Sequence, residues 1–182
     1  MSTSLKKVVL RRFSPGPLWG YLPAGDLLPA GSADALGLLD LSGRVQSIPL
    51  ADVKYVCYVR DFNTSDNANP ERLSRKTFLG RPRTEGLWLR LGLRDGDLLE
   101  GLAALDSSFA DGWAEDRGVY LIPPDIRGNT QRLYVPRAAI ASMEMVAVVT
   151  TPSRKRTLNK AQVEEAQPDL FSLQLPPGAL TN

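Results

Sequence analysis

The segments IPLADV at 48–53 and VPRAAI at 135–140 decide the fold that this sequence predicts. Both contain a β-branched residue, proline, any residue, alanine, any residue and a second β-branched residue, and each precedes an apolar run. Proline fixes φ and cannot donate to a β-ladder, so it suits a single helical turn between two strands. The two matches are either coincident strand ends or an internal repeat, and the shared pattern favours a repeat with one copy in each half.

Outward from these segments, apolar residues occur in short runs bounded by Gly, Pro, Asn and Asp, which is typical of many short strands. A small closed barrel has about five strands. We therefore predict an all-β fold of two small five-stranded barrels that resemble SH3-like and Sm-like barrels, either separate or closely packed. The predicted strands are 8–13, 19–22, 36–41, 44–48 and 54–59 in the first half, and 88–94, 98–105, 119–122, 132–135 and 142–149 in the second.

Turn-forming residues divide the chain further, because 63–70 contains almost no apolar residue. The predicted organisation is a first barrel over 1–62, a linker or added strand over 63–84, a second barrel over 85–150 and a C-terminal tail over 151–182. Within the linker, residues 76–79 are the candidate for the added strand.

Composition limits the classes of function. The 182 residues contain one cysteine, Cys57, and no histidine. A disulfide within the chain is excluded, and so are the commonest general base and most zinc sites. The polar start lacks the apolar core of a signal peptide, and no apolar run approaches the roughly 20 residues that span a bilayer. We therefore expect a cytoplasmic protein without membrane insertion and without a catalytic constellation, a cofactor or a metal.

The net charge of +2 hides an uneven distribution, because residues 85–150 carry six arginines against ten acids. A nucleic-acid-binding domain is usually strongly basic. The four acids at 106, 111, 115 and 116 are interpreted as solvated loop residues rather than a metal site. Aromatic residues in polar or turn-rich surroundings, Trp19, Phe109 and Trp113, either fold back onto the core or form a binding surface.

Two segments of the second half resemble the signatures of Sm-like RNA-binding proteins. The first is the hairpin LGLRDGDLLEG at 91–101, in which Asp-Gly supplies a tight turn and Gly101 is expected to permit a strong strand bend. The second is IRGN at 126–129. This resemblance implies RNA contacts through Arg127 and Asn129. Sm-like barrels also form rings through their edge strands, so the sequence leaves the oligomeric state undecided.

A second resemblance covers about 55–147. The series VRDF at 59–62, DGDLLEG at 95–101, LIPPD at 121–125 and NTQRLYV at 129–135 is similar to an uncharacterised bacterial domain that often accompanies signalling or surface-motility modules. The resemblance implies a bacterial origin and a modular role, and it assigns no activity.

The tail contains QPDLF at 167–171, which resembles the pentapeptide by which bacterial polymerases and repair proteins dock on the sliding clamp. In that motif Gln167 would enter a polar pocket, with Asp169 beside it, while Leu170 and Phe171 would fill an apolar one. The alternative is that these apolar residues dock on the chain's own barrels.

Together these features predict a non-catalytic bacterial adaptor, a module that binds a protein partner. The alternative is a nucleic-acid-associated protein, acting through Sm-like RNA binding or through the clamp-like tail.

Overall fold

The computed structural model of the chain describes residues 4–23, 35–62, 75–115, 117–125 and 128–150. These residues form ten strands and one α-helix, and each strand overlaps a predicted one, so the all-β prediction is confirmed. The helix α1, Ser107–Ala114, was not predicted. The strands are β1 (Leu5–Arg12), β2 (Leu18–Pro23), β3 (Ala35–Asp40), β4 (Val45–Pro49), β5 (Val53–Val59), β6 (Gly86–Leu93), β7 (Leu98–Ala103), β8 (Gly118–Leu121), β9 (Thr130–Pro136) and β10 (Ile140–Val149).

The two proline-containing segments have the same local structure. Pro49, with φ −57°, leads into a 3₁₀ turn over Leu50–Asp52, and Pro136, with φ −58°, leads into one over Arg137–Ala139. Each turn passes directly into a strand, β5 or β10. The predicted single helical turn is therefore confirmed in both halves.

Arg94 joins these two turns at the tip of the β6–β7 hairpin. Its backbone N–H donates to the Ala139 carbonyl, and its guanidinium donates to the Ala51 carbonyl at 2.6 Å. The same guanidinium lies 4.4 Å from the centre of the Phe13 ring. Matching parts of the two halves are thus brought side by side.

The strands pair across the two halves of the sequence. The pairings between described strands are all antiparallel, in a seven-stranded sheet of order β4-β3-β2-β1-β5-β9-β8 and a three-stranded sheet of order β10-β6-β7. The described strands therefore do not form the two small closed barrels that we predicted, either separate or closely packed. The reason is that β5 has two free edges: β1 takes one, and β9 takes the other with Cys57 opposite Leu133.

The seven-stranded sheet contributes to two apolar cores, one on each face. Neighbouring residues of β1 belong to different cores. Val9 lies in the core shared with the three-stranded sheet, whereas Val8 and Leu10 lie in the second core. This follows from the alternation of side chains along a strand. The core between the sheets contains Cys57, Val119, Leu121, Leu133 and Val135 packed with Leu89, Leu91, Leu99 and Ile140.

The two sheets meet at one corner, where Leu102 of β7 and Ile122 exchange backbone hydrogen bonds of 2.9 and 3.0 Å. Gly101 is required here by packing, and the strand bend that we predicted for it stays a prediction. A Cβ at this position would lie 2.7 Å from the Leu121 Cβ, closer than side chains approach. Gly101 therefore lets β7 and β8 come together.

The linker prediction falls partly outside the described residues, which omit 63–74. Residues 75–85 form bends rather than the added strand we considered at 76–79. One backbone hydrogen bond, from Glu100 N–H to the Lys76 carbonyl, ties this segment to β7. By its contacts the chain divides into two units, Met1–Val149 and Thr150–Asn182, so both predicted barrels belong to the first unit.

Candidate interaction surfaces

Several residues predicted to form binding sites lie outside the described residues. These are Arg127 and the tail residues Gln167, Asp169, Leu170 and Phe171. Their roles in RNA or clamp binding stay predictions.

Asn129, the other predicted RNA contact, is engaged by the fold. Its side-chain nitrogen donates to the Asp61 carbonyl at 2.7 Å, and its side-chain oxygen accepts from the Asp61 N–H at 3.0 Å. The amide thus imitates a paired strand residue and holds the chain leaving β5 beside the start of β9. A base that used this amide would have to displace both hydrogen bonds.

The three aromatic residues considered as a binding surface are half-buried and pack against the core between the sheets. Phe109 and Trp113 lie four residues apart in α1, which places both on one side of the helix. The Arg137 guanidinium lies 4.4 Å from the Trp113 ring centre. Trp19 lies on β2. A binding role for these three residues stays a prediction.

The acids of the β6–β7 hairpin form an ionic cluster around the buried Lys54 of β5. Lys54, only 8% exposed, donates to Asp95 and, at 2.7 Å, to Asp97. Lys76 also donates to Asp97, at 2.8 Å. We call these four residues the lysine clasp, because they fasten the β6–β7 hairpin to β5.

The charges of the lysine clasp are mutually stabilised. The hydrogen bond from Lys54, followed by that from Lys76, lowers the pKa of Asp97 to about 2. Burial acts to lower the pKa of Lys54, but the hydrogen bonds to Asp95 and Asp97 outweigh it and the pKa is raised. Lys54 is therefore a protonated structural cation at neutral pH, and its amine is not available as a nucleophile.

A buried acid, Glu100, holds the segment before β6 against the outer face of the three-stranded sheet. It accepts hydrogen bonds from the Phe78 N–H at 2.9 Å, the Trp88 indole at 3.2 Å and the Arg90 guanidinium at 2.8 Å. Burial acts to raise the pKa of Glu100, but these hydrogen bonds lower it overall. Glu100 is therefore ionised and fully used by the fold.

The strand β10 is the feature that the fold leaves unexplained. Eight of its ten residues are apolar, yet only the two ends, Ile140 and Val149, are buried. Met145 and Val148 are 57% and 48% exposed. Within the described part of the chain, β10 pairs only with β6, so its other edge carries unpaired backbone donors and acceptors. We call this the β10 edge.

The β10 edge has few of the features that protect edge strands from pairing. Charges, prolines and short length are the usual protection. The only charged residue of β10 is Glu144, and it is engaged by Arg90 of the neighbouring strand at 3.0 Å. Two register shifts against β6 are the only irregularities. By contrast β4, at the far edge of the large sheet, has five residues and ends in proline.

The strand β10 was predicted correctly from the sequence, but its unpaired edge was not. A strand with apolar residues on both faces normally indicates a central, covered strand. The signal was therefore present in the sequence, but its meaning depends on the pairing, which only the structure gives.

None of the helices in the described part of the chain has the length and apolar character needed to cross a bilayer. Comparison with curated proteins and with solved structures gives no match. A family model does match, over residues 4–147, and its description is a family of unknown function. The match extends the resemblance seen over 55–147 to include β1–β4, and it reaches into β10. The chain therefore belongs to the family of unknown function DUF6982.

Proposed function

We propose that this chain is a non-catalytic protein-interaction module, an adaptor that binds an extended segment of a protein partner along the β10 edge. The observation that carries the proposal is the exposure of β10, a strand of eight apolar residues in ten whose outer edge is unpaired among the described residues. Strand addition to an open edge is a recurring way for domains to bind peptides.

Strand addition would pair the free backbone groups of β10 and cover its exposed apolar side chains at the same time. The backbone of the added strand pairs with the free donors and acceptors, and its side chains cover Met145 and Val148. Full burial of a valine or methionine side chain contributes about 1.5–3 kcal/mol. Because these two are about half exposed, covering both contributes about 2 kcal/mol. That corresponds to about a 30-fold change in Kd.

The proposal is tested with the tagged full-length chain and its double variant Met145→Lys with Val148→Lys. The matched control is Leu41→Lys with Val45→Lys, which adds the same charge at exposed apolar residues of the β3–β4 hairpin. We expect partners captured by the parent chain and by the control to bind the β10 variant at least about 30-fold more weakly. Equal binding to all three chains would contradict the proposal.

The chain alone provides a second measurement, because an open edge can also pair with a second copy. Analytical ultracentrifugation should show a monomer at the concentrations used for capture. A dimer that the β10 variant abolishes and the control retains would replace the proposed partner with a second copy of the chain.

A further inference from the structure

A second surface borders β7, the strand on the opposite side of the three-stranded sheet from β10. It is a groove of about 250 Å³ between the segment before β6 and the chain that follows β8. We call it the arginine groove. It is lined by Phe78, Gly80, Arg81, Pro82, Arg83, Thr84, Leu102, Pro123 and Pro124.

The groove carries two positive charges that no described residue neutralises. Arg81 and Arg83 are exposed, and neither forms an ion pair or a side-chain hydrogen bond with any described residue. Other arginines of the same half are engaged: Arg90 binds Glu100, and Arg94 binds the Ala51 carbonyl. Two arginines that flank one proline and line the same groove favour an anionic partner, which arginine can bind with two parallel hydrogen bonds.

The apolar lining of the groove is fixed by its own contacts. The Phe78 ring lies 5.5 Å from the Trp88 ring, edge to face, and the Phe78 N–H is held by Glu100. Leu102 is fixed by its backbone hydrogen bonds to Ile122. A groove that is already formed requires less ordering when a ligand binds.

Leu79, between the lining residues Phe78 and Gly80 in the sequence, is 82% exposed, the most exposed large apolar side chain among the described residues. Positive charge, an apolar floor and an exposed leucine are thus combined on one short segment. This is the composition of a small protein-binding site, in which an apolar anchor is surrounded by polar contacts.

We propose that the arginine groove binds a short acidic segment of a protein, with carboxylates on Arg81 and Arg83 and an apolar side chain between Phe78 and Leu102. We favour a peptide over a nucleic acid because residues 85–150, which supply Leu102, Pro123 and Pro124 of the groove, carry six arginines against ten acids. A nucleic-acid-binding domain is usually strongly basic, whereas a short acidic peptide needs only the two arginines. This site is separate from the β10 edge, and its test does not depend on the test of the β10 edge.

The test is fluorescence anisotropy of a labelled peptide, four glutamates around a central Leu-Phe pair, titrated with the full-length chain. We expect saturable binding that weakens as salt is added. The variant Arg81→Glu with Arg83→Glu should weaken binding at least about tenfold, and Leu79→Ala should weaken it several-fold. Since all three side chains are exposed, the variants should unfold at the parent temperature.

The matched control is Lys6→Glu with Arg44→Glu, which makes the same change of charge at exposed positions on β1 and before β4. It should bind the peptide within about twofold of the parent chain. Equal weakening by the control would show attraction to net charge alone and would overturn the proposal. Absence of peptide binding, or tighter binding of a single-stranded oligonucleotide that Arg81 and Arg83 control, would also overturn it.

Discussion

Replacing Lys54 with methionine should reveal how strongly the lysine clasp joins the two halves of the fold. Methionine keeps most of the buried stem and removes the charge that Asp95 and Asp97 share. Removing one partner of a fully buried ion pair costs about 3–5 kcal/mol. Here the Asp95 and Asp97 side chains are 38% and 42% exposed, so water solvates the orphaned carboxylates. We therefore expect Lys54→Met to lower the free energy of unfolding by about 2 kcal/mol.

Urea unfolding followed by tryptophan fluorescence measures this loss. A loss of about 2 kcal/mol should also lower Tm by about 4–8 °C in a chain of this size. The control is Lys76→Met, which removes a half-exposed partner of the same Asp97 and should cost less than about 1 kcal/mol. If Lys54→Met is no more destabilising than Lys76→Met, the clasp does not fasten the hairpin as described.

Three further predictions concern other parts of the fold. Glu100→Gln should lower the free energy of unfolding in urea by about 2 kcal/mol, because it removes the charge of a buried carboxylate that accepts three hydrogen bonds. Glu144→Gln, at an exposed position, should leave that free energy nearly unchanged. Equal effects of the two substitutions would contradict the hydrogen-bond network of Glu100. Gly118→Ala should lower the free energy of unfolding by more than about 2 kcal/mol, because residue 118 has a φ of +134° and its new Cβ would lie 2.3 Å from a backbone oxygen. Gly16→Ala, also at positive φ but in open space, should lower it by about 1 kcal/mol. Because the pKa of Asp97 is lowered to about 2 from 3.8, its contribution to stability is complete above about pH 4 and lost as the pH falls towards 2. Asp97→Asn should flatten that part of a stability-against-pH curve, and an unchanged slope would exclude Asp97 as its source.

The local elements of this fold could be predicted from sequence because their causes are local. Short apolar runs gave all ten described strands, and Pro49 and Pro136 gave the two 3₁₀ turns. The helix α1 escaped prediction because its eight residues include Gly112 and are too few to establish a 3.6-residue period.

The pairing of strands could not be predicted in the same way, because it depends on contacts between distant residues. The apolar run of β5 suits a strand with either neighbour, so no local feature of the sequence indicates that β9 pairs with its second edge. Lys54 interrupts an apolar run in the sequence, and only its contacts with Asp95 and Asp97 explain why a lysine is buried there. The exposure of the β10 edge could not be predicted from the sequence for the same reason.

The candidate sites follow the same division. Asn129 was selected from a short motif, but its amide holds the backbone of Asp61. The arginine groove was not predicted, because Arg81 and Arg83 face Pro123 and Pro124 only after β7 and the end of β8 have paired. The nucleic-acid alternative rests on Arg127, on Asn129 and on the tail, of which Arg127 and the tail lie outside the described residues.

Amide hydrogen exchange along β10 tests the central claim most directly, measured for the full-length chain alone and in complex with a captured partner. If a partner strand adds to the β10 edge, amides of Ile140–Val149 that exchange freely in the chain alone should slow at least about tenfold in the complex. The protected amides should alternate along the strand, because every second N–H of β10 already pairs with β6. A bound partner that leaves exchange in β10 unchanged would contradict the claim.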